Sequence, residues 1–312
     1  KNPAAGAIGT ANARIVPPDF PALLTWDWDA PFRQQRVDAL VISKTGHDVG
    51  SMKAAQADVL SPAIERLQTL MIAAAQAAPG VDDKMLDQLT AWDGRQTLGS
   101  SESLIFVAWM REAMRAIFAD DLGPAFQRYF DGRPQLLIRL LEGKSTARDW
   151  CDDRTTPERE TCAQVLGAAL TRALKDIETQ LGPDRATWRW GDVHIAVNEH
   201  RPFGMVPSLA PFFNVEVPSA GGDETLNRGK SDWGSARPFA NRHASSMRAI
   251  YDFADLERSL FMLPTGQSGN PISRHYRDFA QRWADVDYIE IPTQPESISR
   301  IAVGTWTLTP AR

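Results

Sequence analysis

The chain has 312 residues, of which 43% are hydrophobic and 23% charged, the balance of an ordinary globular protein able to bury a substantial core. A net charge of −5 without any basic block argues against nucleic acid or an anionic membrane surface as partner. No apolar run reaches the roughly 20 residues that span a bilayer.

The opening KNPAAGAIGT lacks an initiator Met and an apolar signal core, so a processed piece of a longer polypeptide is expected. Residues 1–35 read as loop and short extended segments, because Pro17, Pro18 and Pro21 forbid a helix. An amphipathic pattern starts at Arg33 and runs to about Val41. From Asp48 to Ala78 the spacing predicts helix, with Leu60, Ile64, Leu67, Leu70 and Met71 on one face and Pro62 and Pro79 as punctuation. Further helices are predicted over Asp83–Trp92, stopped by Asp93-Gly94, and over Ser100–Phe118. Thr156-Pro157-Glu158 reads as a helix start, and a helix runs from Cys162 to Leu181, where Gly182-Pro183 ends it. Beyond residue 184 the character changes. DVHIAVN, FFNVEV, YIEI and RIAVGTWTL are β-like runs broken by Pro, Gly, Asn and Ser, with helical patches at Asp255–Phe261 and Ser273–Ala284. Helices followed by strands give an α+β fold class.

The two cysteines, Cys151 and Cys162, match no zinc spacing. They bracket a loop that a disulfide would close, contributing about 2–3 kcal/mol. The alternative is two unconnected buried thiols. A disulfide favours an oxidising compartment, periplasmic or secreted.

Several constellations invite a functional reading. TGQSGNPISRHYRDF holds Ser268, His275 and Asp278 close together, the residue types of a hydrolase triad. A nucleophile elbow needs Gly-x-Ser-x-Gly, and the second glycine here comes one position early; a turn followed by a helix is the better account. His194 and His200 would share a face if HIAVNEH is a strand, but Glu199 would point the other way, so a metal is not expected. Asp223-Glu224 in SAGGDETLN lacks the oxygen spacing of an EF-hand and reads as a turn. Trp188, Trp190, Trp233, Trp283 and Trp306 read as packing. Asn12, in the loop GTANARI, carries a neutral amide suited to donate to an oxyanion, although loops hold Asn for turn reasons too.

Taken in order, GTANARIVPPDFP, APFRQQRVDAL, LTAWDGRQTLGSSESLIFVAW, WRWGDVHIAVNEHRPFG, GGDETLN, MRAIYDF and TGQSGNPISRHYRDFAQRWADVDYIEI resemble the C-terminal part of the β subunit of penicillin acylases, also called penicillin amidases. The resemblance spans nearly the whole chain and is carried by the collinear set. It implies an N-terminal-nucleophile hydrolase with an αββα sandwich, to which residues 1–312 would add helices (33–182) and C-terminal strands (184–312) without forming an independent domain.

The resemblance also implies that the nucleophile is a serine at the N-terminus of the β subunit, on a companion segment of the same precursor, beside an α subunit. The serine's own α-amine, with a pKa of about 8, would serve as base. Asn12 matches the family asparagine of the oxyanion hole. Arg33 matches an arginine that organises nucleophile and asparagine; Arg36, about one turn on, remains an alternative. No cofactor is required for the chemistry. A structural calcium would want a carboxylate shortly after Asp19-Phe20-Pro21, where Ala22-Leu23-Leu24 stand, so it is possible only through a shifted Asp27 or ligands elsewhere. The expected substrate is a small-molecule N-acyl amide, either an acylated β-lactam such as a penicillin or an N-acyl-homoserine lactone. The rival readings are a hydrolase dependent on Ser268 and a non-catalytic scaffold of the same fold.

Overall fold

A computed structural model describes residues 3, 4, 6–145 and 148–310. Helix α1 (Phe32–Val37) continues into a π-helical turn, and α2 (Val49–Gln56) starts at a capping box between Asp48 and Ser51. The helix predicted over Asp48–Ala78 is broken. Ser61 accepts from the Ile64 N–H and, with Pro62 at the first position, starts α3 (Pro62–Ala75) afresh. Leu60, expected on the helical face, instead bridges to Arg95 in the gap between the helices.

The apolar faces then assemble one helical core. Asp82 caps α4 (Asp83–Ala91), and Ser100 caps α5 (Ser101–Leu122), which is buried on almost every side between Ser103 and Met110. Short α6 (Phe126–Tyr129) and α7 (Pro134–Leu141) follow, with no counterpart among the predicted helices. Helix α8 (Cys162–Leu181) packs along α5, and the Trp109 indole donates to the Leu166 carbonyl at 2.8 Å. Gly167 permits the approach of the chain at Ala78, because a Cβ there would lie 2.8 Å from the Ala78 methyl.

The disulfide Cys151–Cys162 is formed. The helix it precedes does not start at Thr156-Pro157-Glu158, which lie in turns and bends. Thr161 caps α8 through a reciprocal pair with Gln164, so the nearer capping box wins.

In the second half, β1 (Ile195–Asn198), α9 (Ala210–Phe213) and β2 (Val215–Pro218) precede β3 (Gly229–Ser231) and β4 (Asn241–Ala244). Their sheet has the order β2-β1-β4-β3, with β1 and β4 parallel and the other pairs antiparallel. A second, antiparallel sheet joins β5 (Arg248–Ile250), β6 (Leu260–Met262) and β7 (Ile289–Glu290). Buried Met262, Tyr276, Trp283 and Tyr288 pack with Val215 and Val217 as a smaller core.

Three expectations fail here. Asp255–Phe261 holds a single 3₁₀ turn and then the start of β6, because Phe261 pairs with Ala249 and Ile289. Only α10 (Ala280–Ala284) of the Ser273–Ala284 patch is helical. RIAVGTWTL is not a strand: α11 (Pro295–Ile301) takes its start, and residues 302–310 have no regular structure. Val, Thr and Trp favour a strand only where a neighbouring strand supplies hydrogen bonds, and none among the described residues does so. The α+β class stands, with the helices gathered in the first half and short strands in the second.

Candidate active site around Asn12

Asn12 sits with φ +65°, a left-handed conformation that Asn tolerates better than most residues. Its neighbours Ala11 and Ala13 are buried while Asn12 itself is exposed. The loop is pinned to α1: Gln34 accepts from the Ala11 N–H at 2.8 Å and donates to the Gly9 carbonyl. Gly9 allows this contact, since a Cβ there would lie 2.6 Å from Val37. The Asp29 N–H donates to the Asn12 carbonyl at 3.1 Å, which fixes the backbone from the other side.

Arg33 completes the arrangement. Its Nη2 donates to Asn12 Oδ1 at 3.0 Å and to Asp29 Oδ2 at 2.6 Å, and the residue is only 8% exposed. Because the oxygen of the Asn12 amide faces the guanidinium, the orientation of its NH₂ is set, and among the described residues that NH₂ has no acceptor. Arg36 turns elsewhere. It grips buried Asp58 with two hydrogen bonds, 2.7 and 2.9 Å, and this pairing raises its pKa. The arginine beside Asn12 is thus Arg33.

Asp29 opens onto a polar pocket of about 190 Å³. Arg228 approaches Asp29 at 3.8 Å, and Lys230 pairs with Asp131 at 2.7 Å. Burial, and then repulsion from Asp131, push the Asp223 carboxyl up to about 8; its Oδ1 accepts from the Ser231 N–H. Burial raises Glu224 to about 7, opposed by Arg33 and Arg228 and assisted by Asp29. Asp223 and Glu224 do form a turn, yet they carry the most perturbed acids of this region. Asp29 and Arg228, which line this pocket with Glu224, are not singled out in the sequence, where Asp223-Glu224 reads only as a turn.

The other candidates are not assembled into sites. Ser268 Oγ accepts from the Asn270 N–H, while His275 Nδ1 pairs with Asp278 at 2.8 Å and its Nε2 faces Arg274. No hydrogen bond joins the Ser268 and His275 side chains; instead the Ser268 N–H donates to the His275 carbonyl, closing a turn. His194 and His200 flank β1 without belonging to it, so they share no strand face. His194 is fully buried, stacked on Trp190, with its ring nitrogens against the Ser219 and Gly229 carbonyls, and burial lowers its pKa. His200 stacks on Phe203 and lies tilted against Phe213. Trp188, Trp190, Trp233 and Trp283 are core residues, whereas Trp306 is 90% exposed. Among the described residues no group of three or more His, Cys, Asp or Glu side chains is arranged to hold a metal, and Leu23 and Leu24 are exposed with apolar side chains.

The architecture is similar to that of a solved enzyme. A thermostable penicillin G acylase from Alcaligenes faecalis aligns with a TM-score of 0.63 over 100% of this chain and 58% of its own, at 17% identity. The sequence model described as penicillin amidase matches residues 1–300, and the chain belongs to that family. An acyl-homoserine lactone acylase, QuiP, of Pseudomonas aeruginosa is 31% identical over 100% of the chain and 40% of its own length. The penicillin acylase 2 proenzyme of a Pseudomonas species is 27% identical over 99% of the chain and 39% of its own length. The chain thus spans about 40% of the length of these curated relatives.

Proposed function

We propose that the chain is the oxyanion-stabilising portion of an N-acyl amide hydrolase. The observation that carries this reading is the Arg33–Asn12 hydrogen bond, which engages the amide oxygen and leaves the NH₂, without an acceptor among the described residues, as a neutral donor of set orientation. A serine at the N-terminus of a companion segment, activated by its own α-amine, attacks the amide carbonyl. Asn12 Nδ2 donates to the oxygen as it gains charge. Arg33 holds the Asn12 amide and is held in turn by Asp29. Collapse of the tetrahedral adduct expels the amine, and water then releases the acyl group as a carboxylic acid.

The relatives' names point to N-acyl-homoserine lactones first and acylated β-lactams second as substrates. Both present an amide between an acyl group and a small cyclic amine. The companion segments are proposed from the family resemblance. They accord with the exposed apolar side chains that flank Asn12 in sequence, where Ile8, Ile15, Leu23 and Trp26 are each at least 65% exposed. The disulfide supports a periplasmic or secreted location.

Product analysis on the complete enzyme tests the reaction. N-decanoyl-homoserine lactone is expected to yield decanoate and the free amino lactone in equal amounts. Ring-opened acyl-homoserine with the amide intact, or no product from this substrate or from penicillin G, contradicts the reading.

A further inference from the structure

Helices α5, α6 and α7 enclose an apolar cavity of about 270 Å³ that none of the preceding chemistry uses. Its floor is Met114, Phe118 and Phe126, all buried. Leu136 and Leu140 from α7 form one wall, and Trp150, packed edge-on against Phe118 at 5.4 Å, forms the other. The Cys151–Cys162 disulfide follows Trp150 directly and ties that wall to the start of α8. A cavity lined this way repels water and accepts hydrocarbon. Its volume equals about nine water-sized units, the scale of a medium-length alkyl chain.

The mouth has a different character. Arg133 and Arg139 line it, and both are exposed. Neither has a carboxylate partner among the described residues, where the arginine–carboxylate pairs all involve other arginines. An apolar interior with the two unpartnered guanidinium groups of Arg133 and Arg139 at its rim matches an amphiphile with an anionic head. Planar guanidinium groups suit a carboxylate, which accepts two parallel hydrogen bonds.

We infer that this cavity binds a medium-chain fatty carboxylate, its chain between Phe118, Leu136 and Trp150 and its head at Arg133 and Arg139. The inference concerns binding, and it stands whether or not the protein hydrolyses amides. If it does, this is the class of acid that the reaction on medium-chain acyl amides releases.

Calorimetric titration of the complete enzyme with decanoate, below its micelle concentration, tests the site. Saturable binding is expected. Leu136→Trp, at a 41% exposed position, should fill the cavity and remove that binding event. The surface pair Arg133→Gln and Arg139→Gln should weaken it by about tenfold or more. 1-Decanol should bind correspondingly more weakly than decanoate. Absence of binding, binding unaltered by Leu136→Trp, or equal binding of decanol and decanoate would each overturn the proposal. Because heat of binding is read rather than turnover, a failure here is separable from a failure of the amide reaction.

Discussion

At the scale of single residues, two arginines one helical turn apart have different work. Arg33 holds Asn12 and Asp29, whereas Arg36 neutralises Asp58, which is 5% exposed. Arg33→Met in the complete enzyme should lower kcat with little change in unfolding midpoint. Arg36→Met should do the reverse, costing about 3 kcal/mol in urea unfolding because it leaves buried Asp58 with only Arg95, 4.0 Å away, as a cationic partner. Equal effects of both variants on kcat would contradict this division. The motif around FRQQRV places both arginines, but the partner that separates them, Asp58, lies beyond α2 and is invisible to local spacing. The same is true of Arg228 and Glu224, brought to Asp29 by the long-range fold.

Asp223 makes a pH prediction. Its folded pKa of about 8 lies above its ordinary value of 3.8, through burial and the nearby Asp131 and Glu224, with Lys230 and Arg228 opposing. Between those two values the folded chain holds a proton that the unfolded chain has released. Unfolding therefore becomes easier as pH rises through that window. Asp223→Asn should flatten the decline in urea midpoint between about pH 5 and pH 8. An unchanged slope would show that other groups set it.

At the scale of elements, the helices are legible through the apolar stripes that the core then uses, whereas the caps at Ser61 and Thr161 set starts that the stripes alone misplace. Helix α7 carries such signals too, in Pro134 and the leucines after it, and was open to the same reading. The strands are different. β3, β5 and β6 are only three residues each, too short to show alternation, and owe their state to cross-strand partners. The disulfide is readable only as a possibility from spacing, since closure depends on where α8 begins. Replacing Cys151 and Cys162 by Ser should lower stability by about 2–3 kcal/mol in urea unfolding and loosen the Trp150 wall; unchanged stability would show that the loop is held by other contacts.

At the scale of the whole molecule, large apolar side chains are exposed near both ends of the described chain and also between Phe203 and Ile272. Trp26 is 88% and Trp306 90% exposed, and Val303 and Leu308 accompany the latter. A surface of this kind fits a chain that spans about 40% of its relatives' length. Oxidative footprinting should find Trp26 and Trp306 protected in the complete enzyme and reactive in the isolated chain; equal reactivity would place the companion segments elsewhere. The family was legible from the ordered set of motifs, whereas the arrangement of Asn12, Arg33 and Asp29 needed the fold.

The catalytic reading rests on the amide of Asn12, and Asn12→Ala in the complete enzyme addresses it directly. Its kcat for N-decanoyl-homoserine lactone should fall on the order of 10²–10³-fold while KM and the unfolding midpoint change little. A kcat equal to that of the unmodified enzyme would contradict a role for Asn12 in stabilising the oxyanion.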